Sequence, residues 1–339
     1  MNPLAAAGSG KANHTGPGFR KGRNSRSGRS VSNSKYRGRK RRTRSRVVKS
    51  VKLKQSSGSI SYKKSLKCSL LNVNGLTEAS LESVKDVLNS KQPDLCILLE
   101  TKRRLDEECL PADVDGYDLT EVRRSDIALD KAGGGLAIYT KKTDGLVFKD
   151  YDPDIADPSH LFVRKERAWK TVESVRGKTA ICAVYAGFQA ADDRHGTWND
   201  TLYSVLCSEV HSLRQAGFRV VLLGDFNGHI GSNIGGNHHD INKNGQRFLN
   251  FLSNSSCAQI NGRADITTGL WTRQQGGISS VLDYAVVSVE HLPSVQSMFI
   301  DDQGCFGGGS DHNWIFLEMT DNFVRKVRKS NYQSKKSQS

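Results

Sequence analysis

Along this chain, side chains that can ligate a cation or move a proton recur just past apolar runs. Asn72 and Asn74 close the run that begins at Leu66, Glu100 follows Asp94–Leu99, and Tyr185 ends Ala180–Tyr185. Asp225 and Asn227 follow Arg219–Leu223 within Gly224-Asp-Phe-Asn227; Asp283 lies in Val281–Val287, and Ser310-Asp311-His312 precedes Trp314–Glu318. If the apolar runs are strands whose ends share one rim, a rigid scaffold holds these groups together there.

The set matches the needs of metal-assisted phosphodiester hydrolysis. A hard cation takes oxygen ligands, which Glu100, Asp311 and the amides of Asn72 or Asn74 supply. Asp225 is suited to orienting and deprotonating water, with Asn227 two residues on. His312 can reach phosphoryl oxygens while a carboxylate such as Asp283 holds its ring. The Tyr185 phenol can hydrogen-bond the phosphate. Each residue alone has a plainer reading: an acid after a strand is a turn former, Gly-Asp-Phe-Asn is a β-turn, and a strand tyrosine is a half-buried aromatic. Those readings would all have to hold at once to explain the set in this order.

The positioning elements are legible from periodicity. Leu66–Val73 reads as a buried strand. Thr77 is an N-cap for a helix with Leu81, Val84, Val87 and Leu88 on one face, and Pro93 stops it. Gly135–Thr140 reads as a further strand. Leu202, Val205, Leu206, Val210 and Leu213 mark an amphipathic helix closed by Gly217, and Phe248–Leu252 suggests another helix. Strands and helices interleave, which makes the class mixed α/β.

Charge divides the chain. Met1–Ser65 carries 19 Lys/Arg and no acid, and Asp321–Ser339 carries 6 Lys/Arg and 1 acid, within a total of +15. The body between them has 25 basic and 34 acidic residues, a net −9. Residues 1–65 are expected to be a disordered basic tail, 66–320 the folded domain and 321–339 a basic C-terminal tail. The run Lys35–Arg46, with Lys40, Arg41 and Arg42, reads as a nuclear localisation signal, a phosphate-binding arm for DNA or RNA, or both. Lys102, Arg103 and Arg104 are candidates for phosphate contact beside Glu100, with a solvated face as the equal alternative. Gly231–Gly245, with His238-His239-Asp240, reads as a surface loop, since tandem residues lack the usual zinc spacing. Seven cysteines without a Cys-x-x-Cys pair indicate neither a disulfide framework nor a zinc knuckle. No apolar run is long enough to span a bilayer and Met1–Gly10 has no secretory pattern, so a nuclear protein with no membrane partner is expected.

Leu71-Asn-Val-Asn-Gly-Leu76, Leu98-Leu-Glu-Thr-Lys102, Gly134–Tyr139, Val184-Tyr185, Leu223-Gly-Asp-Phe-Asn227, Ser280-Val-Leu-Asp-Tyr284 and Gly309-Ser-Asp-His312 occur in this order from about Leu66 to Glu318. In them the chain resembles the endonuclease/exonuclease/phosphatase superfamily, which includes exonuclease III-like apurinic endonucleases and the endonucleases of LINE-type (non-LTR) retrotransposons. The resemblance implies a four-layer α/β sandwich of two mixed sheets flanked by helices. It implies Asn72, Asn74, Glu100 and Asp311 at the metal (Mg²⁺, with Mn²⁺ able to substitute), Tyr185 at the active site, Asp225 on the water with Asn227 as phosphate-contacting partner, and Asp283 paired with His312. Apurinic enzymes carry Asp where this chain has Asn74; LINE-type endonucleases commonly carry Asn, which tilts the reading toward a DNA endonuclease of retrotransposon type. An amide there coordinates without charge, which argues against a tightly held second metal. Val184-Tyr185-Ala186 continues as Gly187-Phe188 where relatives show Pro-Asn. The alternatives are a phosphatase of the same fold acting on a small molecule or lipid, and an inactive nucleic-acid-binding module. Ser280-Val-Leu-Asp-Tyr284 lacks the Cys-Asp-Arg signature of inositol phosphatases.

Overall fold

The computed structural model of the chain describes residues 62–105, 112–123, 134–143, 146–174, 177–187, 196–234 and 240–324. The readings made for Lys40, Arg41, Arg42, His238 and His239 lie outside them. In chain order the elements are β1 (Tyr62–Asn72), α1 (Glu78–Lys91), β2 (Leu95–Leu99), β3 (Tyr117–Val122), β4 (Leu136–Lys141), β5 (Phe148–Tyr151), β6 (Arg167–Ser174), β7 (Gly177–Tyr185), α2 (Gly196–Gln215) and β8 (Phe218–Asp225). There follow α3 (Lys243–Ser255), β9 (Cys257–Gln259), β10 (Thr267–Thr268), β11 (Arg273–Gln275), β12 (Ile278–Ser280), β13 (Asp283–Ser288), β14 (Val295–Ile300) and β15 (Ile315–Val324).

Among the described residues the strands form a seven-stranded sheet, β10-β14-β15-β1-β2-β4-β3, a six-stranded sheet, β5-β6-β7-β8-β13-β9, and the small hairpin β11-β12. Both large sheets are mixed: β1 runs parallel to β2 and antiparallel to β15, while β8 runs parallel to β7 and antiparallel to β13. Apolar residues of the two inner faces meet in one core, with Leu70, Ile97 and Ile138 from the first sheet against Ile181, Leu223 and Ala285 from the second. Strands buried on both faces lose polar alternation, which is why β2 reads as five consecutive buried residues.

The helices cover the outer faces. Thr77 caps α1 through a capping box with Ser80, and Gln92 ends it in a left-handed conformation just before Pro93. Its face of Leu81, Val84, Val87 and Leu88 is buried, each side chain worth about 1.5–3 kcal/mol. Val84, Val87 and Leu88 pack with Leu71, Leu98 and Tyr139 of the first sheet. On the other side, Leu202, Leu206 and Val210 of α2 and Phe248 and Phe251 of α3 pack on Cys182, Leu222 and Val286 of the second sheet. Helix, sheet, sheet and helix make the four-layer sandwich. None of the described cysteines forms a disulfide, and no helix among the described residues is long and apolar enough to cross a membrane.

Candidate active site

The ends of β1, β2, β7 and β8 and the start of β13 converge on one rim, and strand register decides which side chains meet. Asn72 is the partner of Leu99, which places Glu100 one residue past the end of β2 beside it. In the second sheet Asp225 is the partner of Tyr185 on one side and of Asp283 on the other. Gly224, partner of Val184, permits this: an added Cβ would collide with the Val184 carbonyl oxygen.

Asn72 joins the two sheets. Its buried amide nitrogen donates to Glu100 Oε1 and to Asp225 Oδ2, both at 2.9 Å. Its oxygen accepts the Asn74 backbone N–H at 2.9 Å. The amide thus ties two carboxylates to one another. Asn227 accompanies Asp225: its backbone N–H donates to Asp225 Oδ1 at 2.8 Å, and its side-chain amide donates to the Ala186 carbonyl at 2.8 Å. Asn242, the N-cap of α3, donates to the Asn227 carbonyl at 3.1 Å. Tyr185 is almost wholly buried and hydrogen-bonds Glu100; burial, then the nearby Glu100 and Asp225, hold its hydroxyl protonated far above the usual tyrosine range.

Asp283 Oδ2 lies 2.8 Å from His312 Nδ1, and both residues are buried. Thr272 fixes Asp283 from behind, its hydroxyl oxygen accepting the Leu282 and Asp283 backbone N–H groups at 2.9 and 3.0 Å. His312 is brought in by Gly307, Gly308 and Gly309, all at positive φ. A Cβ at Gly308 would press on the Leu71 side chain. After this turn Ser310 donates to the Asn72 carbonyl at 2.6 Å and accepts the His312 backbone N–H at 3.1 Å. One carboxylate oxygen each from Asp225 and Asp283 and one His312 ring nitrogen lie within 4.8 Å of one another.

The electrostatics follow from this crowding. Burial, followed by the Asp283 charge, pushes the Asp225 carboxyl up to about 8. Burial alone would discharge His312, but the charge and hydrogen bond of Asp283, with Asp225 and Asp311 behind them, outweigh it and raise the imidazole to about 9. Asp311, nearer the surface, loses less to burial than it gains from His312 and Arg273, which hold it below the usual carboxylate range. Asp283 Oδ1 is buried with no hydrogen-bond partner among the described residues. Glu100, with the buried carboxylates of Asp225 and Asp283 behind it, gives a donor set that a divalent cation fits.

On the outer rim Asn74 donates to Asp311 Oδ1 at 3.2 Å, and Lys102 Nζ donates to Asn74 Oδ1 at 2.5 Å. Arg273 Nε and Nη2 both lie 2.7 Å from Asp311 Oδ2. Asn74, Glu100, Lys102 and Asn227 all have φ between 47° and 53°, a left-handed backbone that costs non-glycine residues energy and clusters at functional sites. Asn74, Glu100, Asn227, Arg273 and Asp311 line a cleft of about 440 Å³ with His312 and the β11–β12 hairpin.

The structure therefore brings together Asn72, Asn74, Glu100, Tyr185, Asp225, Asn227, Asp283, Asp311 and His312, with Lys102 at the rim. Arg103 stands apart: it is buried and ion-paired with Glu121 at 2.5 Å, so its guanidinium is spent inside the protein. Arg104 is half-buried and does not line the cleft. Sequence reasoning gave no role to Ser310, Thr272, Asn242 or Arg273. Ser310 stands beside His312 in the sequence and had that signal; the other three touch the site only through the fold.

Endonuclease/Exonuclease/phosphatase family is the description that matches residues 70–312, and the chain belongs to that family. Its members are hydrolases of phosphodiesters or phosphate esters that generally use divalent metal ions. No curated protein matches the sequence. Among solved structures the chain is similar to the AP endonuclease LMAP from Leishmania major, at 17% identity and a TM-score of 0.60 over 76% of this chain and 88% of that one. It is also similar to the 3' phosphatase NExo from Neisseria bound to a product DNA hairpin, at 19%, 0.58, 75% and 99%. A third similar structure is the endonuclease domain of TRAS1, a telomere-specific non-LTR retrotransposon, at 13%, 0.51, 78% and 100%. At these identities the likeness concerns the fold.

Proposed function

We propose that this protein is a metal-dependent DNA endonuclease that nicks one strand to leave a 3'-hydroxyl and a 5'-phosphate. One observation carries the reading: Asp225, Asp283 and His312 form a single buried cluster, and Asn72 ties Glu100 to it.

Glu100 is the anionic ligand for the cation, with the Asn74 amide and Asp311 beside it on the rim. When bound, the ion, Mg²⁺ with Mn²⁺ able to substitute, polarises the phosphate and stabilises the leaving 3'-oxygen. Asp225, in its ionised form, takes the proton of the attacking water; a carboxylate whose pKa is raised by burial is a stronger base than one in water. Asn227 fixes its orientation. His312, kept protonated and aimed by Asp283, donates to the phosphoryl oxygens as their charge grows. The Tyr185 hydroxyl stays protonated and serves as a hydrogen-bond donor. Lys102 at the rim meets the flanking backbone phosphate.

The acidic body suits an anionic polymer only if cations bridge the two, and the ion, Lys102 and the basic N-terminal run with Lys40, Arg41 and Arg42 supply them. That run also supports RNA contact and a nuclear location. The uncharged Asn74 supports the retrotransposon-type reading, in which the new 3'-hydroxyl primes reverse transcription. The test is supercoiled plasmid incubated with the full chain in Mg²⁺ and in EDTA, beside a phosphomonoester. Open circles in Mg²⁺ alone are expected. Release of phosphate from the monoester with the plasmid left intact would transfer the chain to the phosphatase reading.

A further inference from the structure

Both oxygens of Asp311 are already taken by protein donors. Oδ1 accepts the Asn74 amide at 3.2 Å, and Oδ2 faces Arg273 Nε and Nη2 at 2.7 Å each. The Asn74 amide oxygen, the other oxygen of this corner, holds the Lys102 ammonium at 2.5 Å. A divalent ion entering here would meet one carboxylate, one uncharged amide and two cations. Coulomb repulsion from the two cations opposes it, and the single carboxylate is already neutralised. The donor set on this side of the cleft does not fit a metal, whereas Glu100 is met by the neutral donors Asn72 and Tyr185 and keeps its charge for one.

Arg273 is held in place by backbone. It forms an antiparallel bridge with His312, and the neighbouring Gln274 N–H donates to the Asp311 carbonyl at 2.8 Å. Asn313 returns its N–H to the Thr272 carbonyl at 2.7 Å. Strand β11 and the Asp311–Asn313 segment are thus one unit, and the guanidinium is set by the same hydrogen bonds that set the imidazole. Arg273 Nη2 also donates to Gln275 Oε1, while Nη1 has no partner among the described residues. The side chain lines the cleft with Glu100 and His312. A guanidinium is charged at any working pH, and its fork can hold a carboxylate on one edge and a phosphate on another.

We propose that Arg273 is the resident second cation of this site: it occupies Asp311 in place of a second divalent ion, and its remaining N–H edge contacts the phosphate beside His312. This rests on the phosphodiesterase reading above. It adds that the protein binds a single ion, at Glu100, and that a side chain does the work at the other position.

The experiment counts Mn²⁺ bound to the full chain, by electron paramagnetic resonance of the free ion, in wild type, R273M, R273K and E100Q. It also measures single-turnover plasmid nicking in Mg²⁺ for the first three. Wild type and R273K should bind one ion. R273M should bind a second, weaker one, because Asp311 is released, and should nick roughly 10²-fold more slowly, the loss of one placed charge donor. R273K should recover part of that rate. E100Q should lose the tight ion. Should R273M fail to fold, R273Q carries the same expectations. Two ions of similar affinity on wild type, a single ion on R273M, or wild-type nicking by R273M would each overturn the proposal. Absence of Mn²⁺ binding in wild type would instead fail the metal-dependent reading itself and this proposal with it.

Discussion

Asp225 and Asp283 stand opposite one another in register on antiparallel β8 and β13, two buried carboxylates side by side. Two like charges so placed cannot both ionise cheaply, and the fold relieves them through His312, which bonds Asp283, and through the Asn72 and Asn227 N–H groups that donate to Asp225. The strain of the site is thus electrostatic as well as conformational.

Metal-free protein should therefore lose stability as pH rises. Asp225 titrates at about 8 in the fold against 3.8 ordinarily, so the folded state holds the extra proton between those values and stability declines across that window. His312 titrates at about 9 against 6.5, so its stabilising charge is fully present below 6.5 and is lost as pH rises through 9. The two effects have the same sign. Thermal melts in EDTA should show a midpoint falling from pH 5 to about 9, and Mg²⁺ should restore most of the loss at the alkaline end. A midpoint that rises over this range would contradict the assignment of both groups.

Asp283→Asn should uncouple His312 from its counter-charge. The imidazole loses the partner that most strongly keeps it protonated, and its pKa should fall from about 9 toward 6.5. Nicking at neutral pH should drop by about 10²–10³-fold, the cost of a misplaced or discharged electrostatic donor. Proton NMR of the histidine ring follows the titration directly; an unmoved His312 resonance would show that Asp283 does not set its charge.

Gly224→Ala tests the strand packing that delivers Asp225. The new methyl would meet the Val184 carbonyl oxygen on the neighbouring strand, and β7 and β8 must separate to admit it. Urea denaturation should show a loss of about 1–3 kcal/mol, typical of overpacking. Nicking should fall with it, because Asp225 moves with its strand. Unchanged stability would mean the sheet yields there without cost.

Most of the architecture, and the residue types that gather at the candidate site, could be read from the chain because strands, caps and strand-end residues leave short-range patterns. Apolar runs such as Leu95–Leu99 are strands buried on both faces, Thr77 and Pro93 punctuate α1, and the reactive residues sit at strand ends. What the sequence hid is set by tertiary contact. The bond from Asn72 to Asp225 joins residues 153 positions apart, and the Asn74 to Asp311 bond spans 237. Nothing local signals that the Asn72 amide turns its nitrogen to the acids, or that Arg273 meets Asp311. Arg103 sits in the same basic cluster as Lys102 in the sequence, yet one is buried against Glu121 and the other lines the rim, because Glu100 and Lys102 break the strand in left-handed conformations. The buried pair Arg167 and Glu209, which locks α2 to β6, was likewise invisible: each residue alone reads as a surface charge.

The most direct test of the account is single-turnover nicking of supercoiled plasmid in Mg²⁺ by wild type, Asp225→Asn, His312→Asn and the double variant. If the cluster acts as one catalytic unit, each single change should cost at least about 10²-fold and the double should cost little more than the worse single. Wild-type nicking by either single variant, or penalties that multiply in the double, would contradict it.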